Sequence, residues 1–361
     1  MKPEDFILRD YDRLAEEGEH SAQAPSNIAL VKYWGKIPDQ MPCNPSISLT
    51  LKKALTETHL SYRKNSEMDD DLDVEVYLDE ERQRAFEPKV MDFFQRIQEY
   101  VGFVKDHKFV IRTSNTFPHS SGIASSASAM ASIAICLMEM EKSISPKMTR
   151  DYYYKKASFM ARLGSGSACR SLIGRVVLWG ELEDKRDSSD HYGIRANRVH
   201  SIFKDYQDAI LLVDKGKKSI SSSQGHRLMY DHPYARTRFD QAGKNASQLL
   251  KILENGNLED FITLVEKEAL SLHAMMMTSD PYFILMQPNT LDIIKRIWRF
   301  RNDTGIPVCF TLDAGANVHL LYPKRYSQKV IRYIEEELTL LCQDKHVIYD
   351  EVGNGAKVIK S

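Results

Sequence analysis

The stretch Ser114–Leu137, SNTFPHSSGIASSASAMASIAICL, decides how this chain is read. It leaves a β-rich run at Phe109–Thr113, passes through small hydroxyl residues around Gly122, and enters a helical pattern over Ile123–Met140. There Ile123, Ala127, Met130, Ile133, Ala134 and Leu137 recur at helical spacing. The segment is apolar nearly all round, which predicts a buried helix. A helix N-terminus offers unpaired N–H groups and positive dipole charge, and small residues let an anion approach the backbone. Ser120, Ser121, Gly122, Ser125, Ser126 and Ser128 therefore form a candidate phosphate loop, with a hydroxyl free to hold a cation such as Mg²⁺. The competing reading is a Ser-capped core helix whose small residues serve close packing. No GxxxxGK[ST] occurs, so this is not a Walker A loop.

Outside this stretch, strand patterns cover Asn27–Trp34, Ser46–Leu51, Leu55–Tyr62, Val74–Leu78 and Arg175–Trp179. Helical patterns cover Pro88–Val104, with Val90, Phe93, Phe94, Ile97 and Val101 on one face, and Thr149–Arg162, with Thr149 as cap. The segments SEMDDDLD (66–73) and ELEDKRDSSDHYG (181–193) read as solvated loops. The first lacks the Gly and the terminal Glu of a calcium loop. The second half restarts with a strand at Ala209–Val213, then helices at 238–254, 258–273, 289–302 and 328–342. A strand–turn–strand, Val308–Leu312 and Val318–Tyr322, sits between the last two. Strands and helices without steady alternation predict an α+β fold, in two domains of residues 1–200 and 201–361.

Composition excludes several classes. Of 361 residues, 49 are Lys or Arg and 50 Asp or Glu, a formal charge of −1 that gives no cation excess for tracking nucleic acid. The five scattered cysteines include no C-x-x-C pair, which predicts reduced thiols in a cytoplasmic chain. The charged leader MKPEDFILRDYDRLAEEGEH has no apolar core of a signal peptide, and no apolar run is long enough to span a bilayer.

Three further segments carry chemistry-bearing residues. LGSGSACRSLIG (163–174) begins like GxGxxG but follows a helix and has Cys169 at the third position, so it is no dinucleotide fingerprint. Arg170 within it offers a planar fork for carboxylate or phosphate, or is an exposed Arg in a Gly-rich turn. NIALVKYWGK (27–36) is an apolar strand ending in Lys32 and Lys36, cations for an anionic ligand or a solvated edge. In FTLDAGANVHLLY (310–322), Asp313 is either a turn-former or a partly buried carboxylate acting as base or orienting group. His273 closes a Met-rich helix and reads as structural, and no paired-His spacing predicts a transition-metal site.

Taken in order, APSNIALVKYWGK, NPSISLTL, NTFPHSSGIASSASA, ARLGSGSACRS, KKSISSSQG (217–225) and LDAGAN resemble the mevalonate diphosphate decarboxylases. These are members of the kinase superfamily named for galactokinase, homoserine kinase, mevalonate kinase and phosphomevalonate kinase. The resemblance implies an N-terminal domain with a left-handed βαβ crossover, a C-terminal ferredoxin-like domain, and a site in the cleft between them. It implies ATP-dependent decarboxylation of mevalonate 5-diphosphate to isopentenyl diphosphate, with Mg²⁺, in a homodimer. By the same resemblance, Asp313 lies at the C3 hydroxyl, Lys32 at the reacting centre, and Arg170 on the substrate carboxylate with Asn27 beside it. Tyr33, Lys36, Ser167 and Ser222 belong to the diphosphate pocket, Trp34 to its wall, and Ser121, Gly122, Ser125, Ser126 and Ser128 to the ATP-phosphate loop. Ser125 or Ser126 would approach Mg²⁺.

Within the superfamily, mevalonate kinases carry their catalytic aspartate shortly after the segment matching Gly164-Ser-Gly; here Ser167-Ala168-Cys169 holds no acid. Mevalonate 3-kinases depart from the decarboxylases at the substrate anchors, whereas this chain keeps Lys32, Arg170 and Asp313. Ala316 stands where the family usually has Pro, Pro45 replaces a small polar residue, and PHSSGIASS stands for PTAAGLASS. These departures leave a phosphomevalonate decarboxylase, or a small-molecule kinase on the same scaffold, as alternatives.

Overall fold

A computed structural model describes residues 1–65, 72–118, 123–216 and 220–359. Most of the acidic segment 66–73, the loop residues Ser120, Ser121 and Gly122, and positions 217–219 of KKSISSSQG lie outside the described residues.

The first sheet is built on two long antiparallel strands, β1 (Glu17–Val31) and β2 (Ser46–Lys64). β2 spans both short strands expected from sequence. The break expected between them is a bulge: the register slips between Pro25 and Asn27, opposite an exposed Lys52–Lys53 pair. The N–H groups freed there are not wasted. Lys52, Lys53 and Ala54 donate to the buried Asp350 carboxylate at 2.9, 2.8 and 2.7 Å. β3 (Val74–Leu78) leads through α1 (Glu87–Ile97) to β4 (His107–Asn115), which lies parallel to it, a βαβ unit. α1 ends earlier than its apolar pattern, and a 3₁₀ turn at Gly102–Lys105 buries Phe103 and Val104 instead. α2 (Ser125–Ile144) and α3 (Arg150–Gly164) pack on this layer, and β5 (Val176–Trp179) pairs with the start of β2. α2 is buried nearly all round, and its Ser128 and Ser132 hydroxyls meet Thr56 and Thr58 of β2 at 2.6 Å each. Polar groups inside the helix–sheet contact are thereby paired.

The second half opens with β6 (Gln207–Leu211), then α4 (Ser222–Arg227), α5 (Ala235–Asn255), α6 (Leu258–Met277) and α7 (Pro288–Thr304). β7 (Cys309–Thr311), β8 (Val318–Tyr322), α8 (Ser327–Tyr333) and β9 (Val347–Glu351) complete it. The strands run antiparallel in the order β7-β8-β6-β9. That βαββαβ connectivity, with the first strand between the third and fourth, is the ferredoxin-like arrangement. The helix expected over 328–342 breaks after Tyr333 into a π-turn at Ile334–Leu338 and a 3₁₀ turn at Thr339–Leu341. The sequence pattern missed β9 and β10 (Lys357–Ile359). β10 returns to pair with β1, tying the C-terminus into the first sheet. Among the described residues no helix is long and apolar enough to cross a membrane.

Candidate active site

β1 ends at Val31, and the chain that follows carries Lys32, Tyr33 and Trp34 into a cavity of about 320 Å³. Both halves of the fold line it. Ala124 and Ser126 come from the head of α2, residues 164–167 and Arg170 from the turn after α3, residues 221–223 and His226 from α4, and Asp313 from the β7–β8 loop.

Lys32 is 1% exposed. Its Nζ donates to Asp313 Oδ1 at 3.0 Å and to the Ala29 carbonyl at 2.5 Å. Burial lowers its pKa, Asp313 and Glu268 oppose the shift, and Arg170 adds to it. Asp313 is held through its own backbone, since its carbonyl accepts from His273 Nε2 of α6 at 3.1 Å. The histidine read as structural is thus an anchor of the site.

Arg170 rides on a 3₁₀ turn, Gly166–Ser171, and is 3% exposed. Its Nη1 donates to Ser46 Oγ, and its guanidinium lies 5.8 Å from the Trp179 ring centre. It forms no ion pair among the described residues, and its Nε is buried without an acceptor. A guanidinium removed from water without an anionic partner is costly. Asn27 Oδ1 and the Tyr33 hydroxyl are likewise buried without partners among the described residues, so orphaned polar atoms gather at and just behind the cavity wall. Asn27 itself does not line the cavity: its Nδ2 donates to the Ser167 carbonyl at 3.2 Å and to Ser171 Oγ at 2.9 Å, bracing the Arg170 turn.

Tyr33 packs between Trp179 and His226, with ring centres 4.7 and 4.4 Å away, and burial pushes its hydroxyl pKa up. Gly166 permits this, because a Cβ there would stand 2.7 Å from the Tyr33 hydroxyl. Trp34 forms the wall against α4. Lys36 donates to Gln40 Oε1 at 2.9 Å, and burial, then Arg96, Arg227 and Lys89, lower its pKa. Lys89 of α1 also faces the cavity, and nothing in its amphipathic pattern distinguished it from a solvated lysine.

No side chain among the described residues caps the head of α2. Ala124 sits at the N-cap in left-handed geometry (φ 46°, ψ 39°) and contributes no side-chain hydrogen bond. A non-glycine residue there is strained by about 1–2 kcal/mol. Ser126 lines the cavity, its Oγ 3.2 Å from Ser165 Oγ, and Ser125 is half-buried beside it. Ser128 is fully buried and commits its hydroxyl to Thr56 and the Ser125 carbonyl, away from the cavity. Ser167 and Ser222 both reach the cavity; Ser121 and Gly122 lie outside the described residues.

The sequence pattern also missed a support behind Lys32. Glu268 of α6, fully buried, accepts the Lys32 backbone N–H at 2.9 Å. Arg238 of α5 grips the same carboxylate with two bonds of 3.0 and 2.5 Å, and Asn245 adds a third of 2.5 Å. Arg238 and Glu268 lie thirty residues apart in sequence, on helices whose local pattern carries no sign of the pairing.

The model for the diphosphomevalonate decarboxylase-like N-terminal domain matches residues 24–190, and that for the mevalonate 5-diphosphate decarboxylase C-terminal domain matches residues 209–358. The chain is 28% identical over 342 residues to the phosphomevalonate decarboxylase of Haloferax volcanii, covering 94% of this chain and 97% of that protein. To the diphosphomevalonate decarboxylase of Saccharomyces cerevisiae it is 29% identical over 332 residues, covering 87% and 80%. A structure of MDDEF in complex with MVAPP, AMPPCP and magnesium superposes with a TM-score of 0.79 at 25% identity, covering 96% of this chain and 100% of that one. The mevalonate diphosphate decarboxylase of Staphylococcus aureus gives 0.79 at 25% identity, covering 95% and 98%. With both halves matched by paired domain models and the whole fold shared, the chain belongs to the diphosphomevalonate decarboxylase-like family of the GHMP kinase superfamily.

Proposed function

We propose that this protein is an ATP-dependent decarboxylase that converts mevalonate 5-diphosphate to isopentenyl diphosphate, ADP, phosphate and CO₂. The observation that carries the reading is one cavity holding a Lys32–Asp313 pair beside a buried Arg170 that forms no ion pair among the described residues. An elimination of CO₂ needs those functions: a carboxylate at the C3 hydroxyl, a cation at the transferring phosphoryl group, and a clamp on the substrate carboxylate.

Asp313 accepts or orients the proton of the tertiary hydroxyl as that oxygen attacks the γ-phosphorus of ATP. Lys32 neutralises charge developing on the transferred group, and its ammonium stays within reach because Ala29 and Asp313 hold it. Arg170 fixes the carboxylate so that the C–C bond aligns with the departing C3–phosphate oxygen. The C–C electron pair becomes the new double bond, and phosphate and CO₂ leave together. Tyr33, Trp34, Lys36, Ser167 and Ser222 enclose the phosphorylated end, and Asn27 braces Arg170.

The N–H groups at the head of α2, which no described side chain caps, and the Ser126 hydroxyl would hold ATP phosphates and a Mg²⁺ ion, with Ser125 adjacent. No cluster of three or more His, Cys, Asp or Glu occurs among the described residues, which suits a cation held mainly by phosphate oxygens. When bound, Mg²⁺ supplies charge neutralisation on those oxygens. The family resemblance supports a homodimer, the five unpaired cysteines support the cytoplasm, and the charge balance supports small-molecule partners rather than nucleic acid.

A second reading, decarboxylation of the 5-monophosphate, is favoured by the likeness to the Haloferax enzyme over nearly the whole chain. Measuring kcat/KM for both substrates with Mg-ATP decides between them. Preference for the diphosphate is expected, preference for the monophosphate installs the second reading, and ADP without CO₂ would make the protein a kinase.

A further inference from the structure

His226 belongs to no motif singled out in the sequence, yet the cavity closes around it. It sits on α4 one turn after Ser222, so both residues share a helix face, and both line the cavity. The ring is only 8% exposed and is wedged between Tyr33 and Trp34, with ring centres 4.4 and 4.7 Å away. Its Nδ1 accepts the Gly35 backbone N–H at 2.9 Å. That bond settles the tautomer, because an Nδ1 that accepts leaves the proton on Nε2. Nε2 has no hydrogen-bond partner among the described residues, and the residue lines the cavity. Burial, then Lys36 and Arg170, push the imidazole pKa down to about 3. The ring is therefore a neutral N–H donor fixed in orientation among cations, suited to an anionic oxygen and unable to accept.

We propose that His226 binds the phosphorylated end of the substrate, donating its Nε2–H to a phosphate oxygen next to Lys36. The inference rests on the decarboxylase reading for its substrate, but its chemistry needs only a phosphate in the cavity. His226 is thus a binding residue whose orientation is set by Gly35 and whose plane is set by two aromatic rings. The same ring joins the phosphate pocket to the Lys32–Gly35 segment, so the anchor for the substrate tail and the end of β1 are one assembly.

Two variants separate the edges of the ring. His226→Asn keeps an acceptor at the Nδ1 position for Gly35 and removes the Nε2–H. His226→Gln places an amide N–H near the Nε2 position and gives up the Gly35 bond. One hydrogen bond to a charged acceptor corresponds to a loss of about ten- to a hundredfold. The Asn variant should raise KM for the phosphorylated substrate by that factor with kcat nearly unchanged, and the Gln variant should recover much of it. A merely structural histidine would give the opposite ranking, with the Gln variant the less stable and less active.

The ¹⁵N resonance of His226 Nε2 in the wild-type protein provides a readout independent of turnover. It should move on adding mevalonate 5-diphosphate or inorganic pyrophosphate and stay fixed with unphosphorylated mevalonate. An unmoved resonance, or equal KM values for wild type and the Asn variant, overturns the proposal. Absence of CO₂ release by the wild type would overturn the decarboxylase reading instead, and the pyrophosphate titration would still decide the role of His226.

Discussion

Replacing Arg170 by methionine should separate stability from activity. The side chain is buried, keeps one bond to Ser46 Oγ, and lacks an ion pair among the described residues. Losing that bond costs about 1–3 kcal/mol, and losing the contact with the Trp179 ring costs about 0.5–1 kcal/mol. Against this stands the relief of desolvating a guanidinium, about several kcal/mol. Ser46 is not orphaned, because its hydroxyl also donates to the Val31 carbonyl at 2.6 Å. The net change in folding free energy should therefore lie within about 2 kcal/mol of zero, with Tm displaced by about 8 °C at most. Activity should behave otherwise. A forked clamp on a carboxylate makes two charge-assisted hydrogen bonds, together about 3–6 kcal/mol. Converted to rate, that is a loss in kcat/KM of roughly two to four powers of ten. Differential scanning fluorimetry and CO₂ release, measured on the same preparations, provide both numbers. A variant with kcat/KM within tenfold of wild type, or one that unfolds far below it, would take the carboxylate clamp away from Arg170.

Asp313→Asn should lower kcat by about 10²–10⁴ while leaving nucleotide affinity intact; a variant with near-normal kcat removes Asp313 from the chemistry. Lys32 has a folded pKa below its ordinary 10.5, so it loses its proton and its role at a pH below that value. Over that window the unfolded chain binds more protons, so this group's contribution to stability rises with pH while activity falls. Activity that stays flat up to pH 10.5 contradicts the assignment. Gly225→Ala would place a Cβ 2.5 Å from the Trp34 indole. It should cost about 1–3 kcal/mol by overpacking and raise KM as the indole shifts, read by Tm, tryptophan fluorescence and kinetics.

Much of this site was legible in sequence because its parts are local. The head of α2 announces itself through small residues ahead of an apolar helix, and Lys32 and Lys36 stand out at the end of an apolar strand. Arg170 is conspicuous in its Gly-rich turn, though sequence could not tell a buried fork from an exposed one. Asp313 is different: at a strand–turn junction it is indistinguishable from a turn-former, and only the order of motifs selected it. Glu268 and His226 were invisible for a physical reason. Each acts through partners on another segment, Arg238 and Lys32 for the first, Gly35 and two aromatic rings for the second. The bulge in β2 was misread as a gap because Asp350, which satisfies it, lies almost three hundred residues downstream. Ser128 looked like loop chemistry from composition, but helical phase turns it toward Thr56.

In the proposed reaction this cavity couples ATP cleavage to loss of CO₂. Its most direct test is the stoichiometry of ADP, inorganic phosphate and CO₂ released by the purified protein from Mg-ATP and mevalonate 5-diphosphate. One of each per turnover is expected, with none above background for Asp313→Asn. ADP released without equivalent CO₂ would contradict it.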